Sequence, residues 1–138
     1  MIAGGSGDLA PEAWVVFCGE AELWWLRLLR PGFRHCFAVL RDGGRWITVD
    51  PLSSHTEVAV QPAPADFDLP GFLAGRGHAV VRAPVRRGHG RPAPWGLFTC
   101  VEAVKRVIGL HDRRIVTPWQ LHRHLAAMHA APGGAGRP

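Results

Sequence analysis

The chain contains no apolar run approaching the roughly 18 residues that cross a bilayer, so a membrane-spanning helix is excluded and a soluble protein is expected. It has a single lysine, Lys105, and its basic side is otherwise arginine. Together with abundant Ala, Gly and Pro, that usage looks like the product of a GC-rich bacterial genome, which concerns origin and not mechanism. Cysteine is scarce as well. Cys18, Cys36 and Cys100 cannot all pair within one chain, and the N-terminus lacks the basic start and apolar core of a secretory signal, so a reducing cytoplasm is the expected compartment. His122, His124 and His129 lack the i, i+4 spacing of zinc ligands, only His122 and His129 sharing a helix face. A surface or partner-facing role is expected for them, with no metal and no organic cofactor.

A nucleic-acid motif is also absent. The formal charge of +5 and the segment Arg86-Arg87-Gly88-His89-Gly90-Arg91-Pro92 are compatible with sequence-independent phosphate contacts. Basic residues spread over the other segments, however, are the pattern of an ordinary arginine-solvated surface. The segment is therefore expected to be an exposed flexible loop lining a cleft, and nucleic acid is not an expected partner.

What the chain does contain fits one domain. Its 138 residues divide into a Gly-rich flexible start over 1–12, a domain over 13–130, and a Pro/Gly-rich disordered tail over 131–138. Within the domain, Trp14 to Cys18 reads as a strand and Glu22 to Arg30 as a short helix stopped by Pro31-Gly32. Strands are expected near 33–41, 44–50, Thr56 to Val60 and His78 to Val85, with a single helical turn around Phe72-Leu73. Two helices follow, Cys100 to Ile108 closed by Gly109, and Pro118 to about Met128 opened by Thr117. The fold class expected is α+β, an antiparallel sheet packed against a helix that carries a cysteine. Val101, Val104, Val107 and Ile108 form the sheet-facing stripe of that helix, with Lys105 and Arg106 pointing away. The segment from Trp24 to Arg30 resembles an interfacial membrane helix in composition but is too short, and a core helix is the simpler reading.

Two places in the chain carry chemistry. Thr99 followed by Glu102 has the form of a capping box, which makes Thr99 an N-cap and puts Cys100 in the first turn of its helix. Unpaired backbone N–H groups and the positive end of the helix dipole favour the thiolate there. The second place is a hairpin. Asp42-Gly43 between the apolar segments Phe37 to Leu40 and Trp46 to Val49 predicts a two-residue turn, pairing Arg41 with Gly44, Phe37 with Thr48 and His35 with Asp50. Asp50 would then orient the His35 imidazole from the same face. His55 takes that role instead if the register slips. Cys18 and Cys36 are expected to be small buried hydrophobes, Cys36 facing away from His35 by alternation.

These residues resemble a family. A His on a strand, a polar partner on the next strand, and later a helix opening with Cys and a Glu two positions on is similar to the circularly permuted branch of the papain-like and NlpC/P60 thiol hydrolases. Over about residues 13 to 110 the resemblance implies Cys100 as nucleophile, His35 as general base, Asp50 as the orienting residue and Glu102 as the Glu of a Cys-Ser-Glu motif. Val101 stands where that motif has Ser, and Cys36 follows the His where a small or aliphatic residue is more common. The implied activity is cysteine-dependent hydrolysis or acyl transfer on an amide or ester through an acyl-enzyme. The implied partner is an acyl or peptide-like substrate, with Trp46, Trp95 and Arg87 expected to touch it. Small bacterial members of this kind also look like proteins of phage and prophage clusters, so a catalytically silent scaffold or phage-associated interaction module of the same fold is the alternative. Nothing in the chain fixes an oligomeric state.

Overall fold

A computed structural model of the chain describes residues 11–19, 33, 35–52, 55–85 and 99–130. The expected helix from Glu22 to Arg30, the loop from Arg86 to Pro92, and both terminal segments apart from Pro11 and Glu12 lie outside those residues. Five strands are seen: β1 (Glu12–Cys18), β2 (His35–Asp42), β3 (Arg45–Pro51), β4 (Thr56–Gln61) and β5 (Ala79–Ala83). They form one sheet in the order β4-β3-β2-β1-β5, antiparallel at every pairing. The helices are α1 (Leu69–Gly75), α2 (Cys100–Ile108) and α3 (Pro118–Ala130). The protein is thus a small α+β domain.

Alternation along the strands divides the core in two. Ala13, Val15 and Phe17 of β1, Cys36 of β2 and Ala83 of β5 face α2 and α3, where they pack with Val101, Val104, Ile108, Leu121 and Leu125. Val16, Val39 and Trp46 face the other way and pack with Trp14, Val80 and the α1 residues Leu69 and Leu73. Helix α1 runs for two turns where one was expected. Asp68 caps it, its carboxylate accepting from the Gly71 N–H at 3.0 Å, and Pro70 sits in the first turn, where its missing N–H costs nothing.

The β2–β3 turn differs from the expectation by one residue. Gly43 and Gly44 form the loop, with φ of 55° and 76°, while Asp42 stays in the strand opposite Arg45. A type I′ turn needs positive φ at both central positions, and two glycines meet that demand where Asp42-Gly43 would place a side chain in the left-handed region. The partner of every β2 residue is therefore two positions further along β3 than expected. Because the shift is even, each side chain remains on its expected face.

Helix α2 opens and closes as its sequence dictates. The Thr99 hydroxyl accepts from the Glu102 N–H at 3.3 Å, and Gly109 ends the helix in the left-handed region, φ 73°. Lys105, expected to point away from the sheet, is only 4% exposed, donating to Glu102 Oε1 at 2.7 Å and to the Ile115 carbonyl at 3.0 Å. The loop leading into α3 folds back over this side of α2, and the ammonium replaces water with those two acceptors. At α3 the capping is reciprocal: Thr117 Oγ1 accepts from the Gln120 N–H, and Gln120 Oε1 accepts from the Thr117 N–H.

Candidate active site

Helix α2 lies against β2 and β3, and its first residue, Cys100, packs against the core that contains Cys36. Here the start of β2, the end of β3 and the first residue of α2 converge, bringing His35, Cys36, Asp50 and Cys100 together. His35 Nε2 lies 2.6 Å from Asp50 Oδ1, with both side chains part-buried. By the observed register Phe37, not His35, falls opposite Asp50, so the His35–Asp50 contact is a diagonal across the hairpin. The register slip under which His55 could have replaced Asp50 has occurred, yet Asp50 holds the imidazole and His55 lies exposed just ahead of β4.

Cys100 is half-buried at the first position of α2, in contact with the α2-facing core. Hydrogen bonding from the Cys36 thiol is the largest influence holding its thiol down. Burial opposes this, and hydrogen bonds from His35 and from the Cys36 backbone N–H, with the His35 charge, complete the shift to about 5 from an ordinary 9.0. For His35 the largest single influence is burial, which disfavours the imidazolium. Hydrogen bonds to Asp50 and Cys100 and the negative charge on both outweigh it and raise the imidazole to about 9. Cys36 moves the other way: its hydrogen bond to Cys100 and its burial push its thiol well above the ordinary value. Between about pH 5 and pH 9 the arrangement is therefore a Cys100 thiolate and a His35 imidazolium, with Cys36 as a neutral thiol.

Cys36 is the residue that reading the chain did not bring into the site. Alternation does place it on the opposite face from His35 and bury it completely, as expected. That face is the one on which α2 lies, so burial puts its thiol and its N–H against Cys100. The pair His35-Cys36 in sequence was the available signal: adjacent residues at a strand end grip a helix start from both sides.

Other expected site residues fall elsewhere. Trp46 is 2% exposed in the α1-side core, its Nε1–H donating to the Pro64 carbonyl at 3.2 Å, which corrects its assignment as a substrate contact. Trp95 and Arg87 lie outside the described residues. His122 is half-buried, packing among Phe17, Phe33 and Trp119, and burial lowers its pKa. His129 Nε2–H donates to the Arg82 carbonyl at 2.6 Å, tying α3 to β5.

Among the described residues no helix is long and apolar enough to cross a membrane, and no group of three or more His, Cys, Asp or Glu is arranged to hold a metal ion. No protein-family profile, curated protein or solved structure matches this chain.

Proposed function

We propose that the protein is a cysteine-dependent hydrolase or acyltransferase of permuted papain-like type, acting on an amide or ester through an acyl-enzyme. The observation that carries this reading is the meeting of Cys100, on a helix N-terminus, with an imidazole that Asp50 holds at 2.6 Å. A thiol so placed is ionised at neutral pH and has its proton carrier beside it.

In the proposed reaction the Cys100 thiolate attacks the acyl carbonyl carbon. Negative charge gathers on the carbonyl oxygen, and the N–H of Cys100, which has no acceptor within α2, is a ready donor to it. Collapse of the intermediate expels the amine or alcohol, which takes the proton from His35. Neutral His35 next takes a proton from water, hydroxide character develops on that oxygen, and attack on the acyl group regenerates the Cys100 thiolate and the imidazolium. With Nε2 engaged by Asp50, Nδ1 is the nitrogen left to move these protons. Asp50 fixes the ring and stabilises its charged form.

Iodoacetamide in small excess at pH 6 tests the reading. Cys100 should be alkylated ahead of Cys18 and Cys36, and Cys100→Ser and His35→Ala should each abolish that rapid phase and any ester hydrolysis while the fold is retained. Equal or absent labelling of the three thiols would overturn the enzyme and leave an interaction scaffold.

A further inference from the structure

The Cys100 thiolate has beside it a second sulfur that forms no bond to substrate in acyl transfer. Cys36 is a buried member of the α2-facing core against which Cys100 packs, and its thiol and backbone N–H both bear on that sulfur. Exposure differs between the two. Cys36 is fully buried, whereas Cys100 is half-buried at the helix start, so a small solute reaches Cys100 first. We propose that Cys36 and Cys100 form a reversible intramolecular disulfide by way of a sulfenic acid on Cys100, so that the site reacts with hydroperoxides and is restored by a thiol reductant. The inference depends on the same thiolate as acyl transfer but not on acyl transfer itself.

The chemistry follows from the charges present. The Cys100 thiolate attacks the terminal oxygen of a hydroperoxide, a sulfur–oxygen bond forms and the oxygen–oxygen bond breaks. The departing alkoxide, or hydroxide from hydrogen peroxide, takes the proton of the His35 imidazolium. Cys100 is now a neutral sulfenic acid and His35 a neutral base. While Cys100 was anionic its charge kept the proton on Cys36; once that charge is gone the constraint is lifted. Cys36 then gives its proton to His35, and its sulfur attacks Sγ of Cys100. A sulfur–sulfur bond forms, the sulfur–oxygen bond breaks, and the hydroxide released takes the proton back from His35 as water. Two electrons have passed from the two thiols to the peroxide. An external dithiol returns them, so the net reaction is reduction of the hydroperoxide at the expense of that reductant. In the oxidised state the nucleophile is masked, which would make the hydrolase inactive until reduced.

Cys18 is the competing partner, since it stands opposite His35 across β1–β2. Cys36, not Cys18, is the sulfur that packs with Cys100 in the α2-facing core and hydrogen-bonds it. The assignment therefore goes to Cys36.

The test is intact mass and peptide mapping of the full chain after equimolar hydrogen peroxide, with iodoacetamide labelling of an untreated sample in parallel. The wild type should lose about 2 Da, yield a linked Cys36–Cys100 peptide, and return to its starting mass with dithiothreitol. Cys18→Ser should behave the same, while Cys36→Ser should show a dimedone-trappable Cys100 that proceeds to sulfinic acid. A wild-type Cys100 that goes directly to sulfinic or sulfonic acid, a Cys18–Cys100 peptide, or a bridge between two chains would overturn the proposal. So would inertness to peroxide; if iodoacetamide still labels Cys100, the hydrolase reading survives that result, and if it does not, both fall.

Discussion

Asp50 holds the His35 imidazole from a diagonal position, its Oδ1 2.6 Å from Nε2, although Phe37 is the residue that the hairpin register sets opposite it. Residues offset by two on facing strands share a face and remain within reach of a long side chain.

That contact predicts the effect of removing the charge at Asp50. Asp50→Asn keeps a polar group but takes away both the hydrogen-bond acceptor strength and the negative charge that raise the His35 pKa. Cys100 alkylation at pH 6 should fall about tenfold or more, with the labelling midpoint moving to higher pH. Labelling unchanged from wild type would show that Asp50 plays no part in ionising the thiol.

Cys36→Ala gives a complementary shift. It removes the thiol donor to Cys100, the largest influence keeping that thiol ionised, and leaves the backbone donor in place. The pH at which Cys100 becomes half-reactive should rise, so labelling at pH 6 drops severalfold while labelling near pH 9 stays close to wild type. A uniform loss at all pH values would indicate displacement of α2 instead.

The pH dependence of acyl transfer should be bell-shaped. Its lower limb reflects protonation of Cys100 near 5, and its upper limb loss of the His35 proton near 9. Stability follows with opposite signs for the two groups. The Cys100 pKa is lower folded than unfolded, so its contribution is complete above 9.0 and is lost as pH falls through about 5. His35 is raised when folded, so its contribution is complete below 6.5 and is lost as pH rises through about 9. Between pH 6.5 and 5 only the thiol of this pair changes protonation on unfolding. Urea denaturation should then show wild type losing stability relative to Cys100→Ser as the pH is lowered across that interval.

The buried ion pair of α2 makes a stability prediction. Lys105 is shielded from water while Glu102 is a quarter exposed, so the two ends of the pair are unequal. Glu102→Ala strands a buried ammonium with only the Ile115 carbonyl and should cost roughly 3 kcal/mol. Lys105→Met removes the buried charge, leaves a carboxylate that water can reach, and should cost less, about 1 to 2 kcal/mol. Equal losses in urea denaturation would contradict this asymmetry.

Much of the fold was legible from local signals, because those signals are set by neighbouring residues. Thr99, Glu102 and Gly109 bound α2 through hydrogen bonds and a backbone angle that need no distant partner. The period-2 patterns of β1, β2 and β3 fixed which side chains share a face, and that parity survived the error in the turn. It is why His35 and Asp50 were found together even though their predicted pairing was wrong.

What tertiary structure decided is where faces are covered and by what. Lys105 sits on the helix flank that looks polar in one dimension, and only the return of the chain at Ile115 encloses it. Trp46 became core because α1 and the Pro64 segment cover its face of the sheet. Cys36 could be assigned a buried position from alternation alone. That its buried neighbour is the Cys100 thiol depends on where α2 docks, a contact between residues 64 apart in sequence that no local pattern encodes.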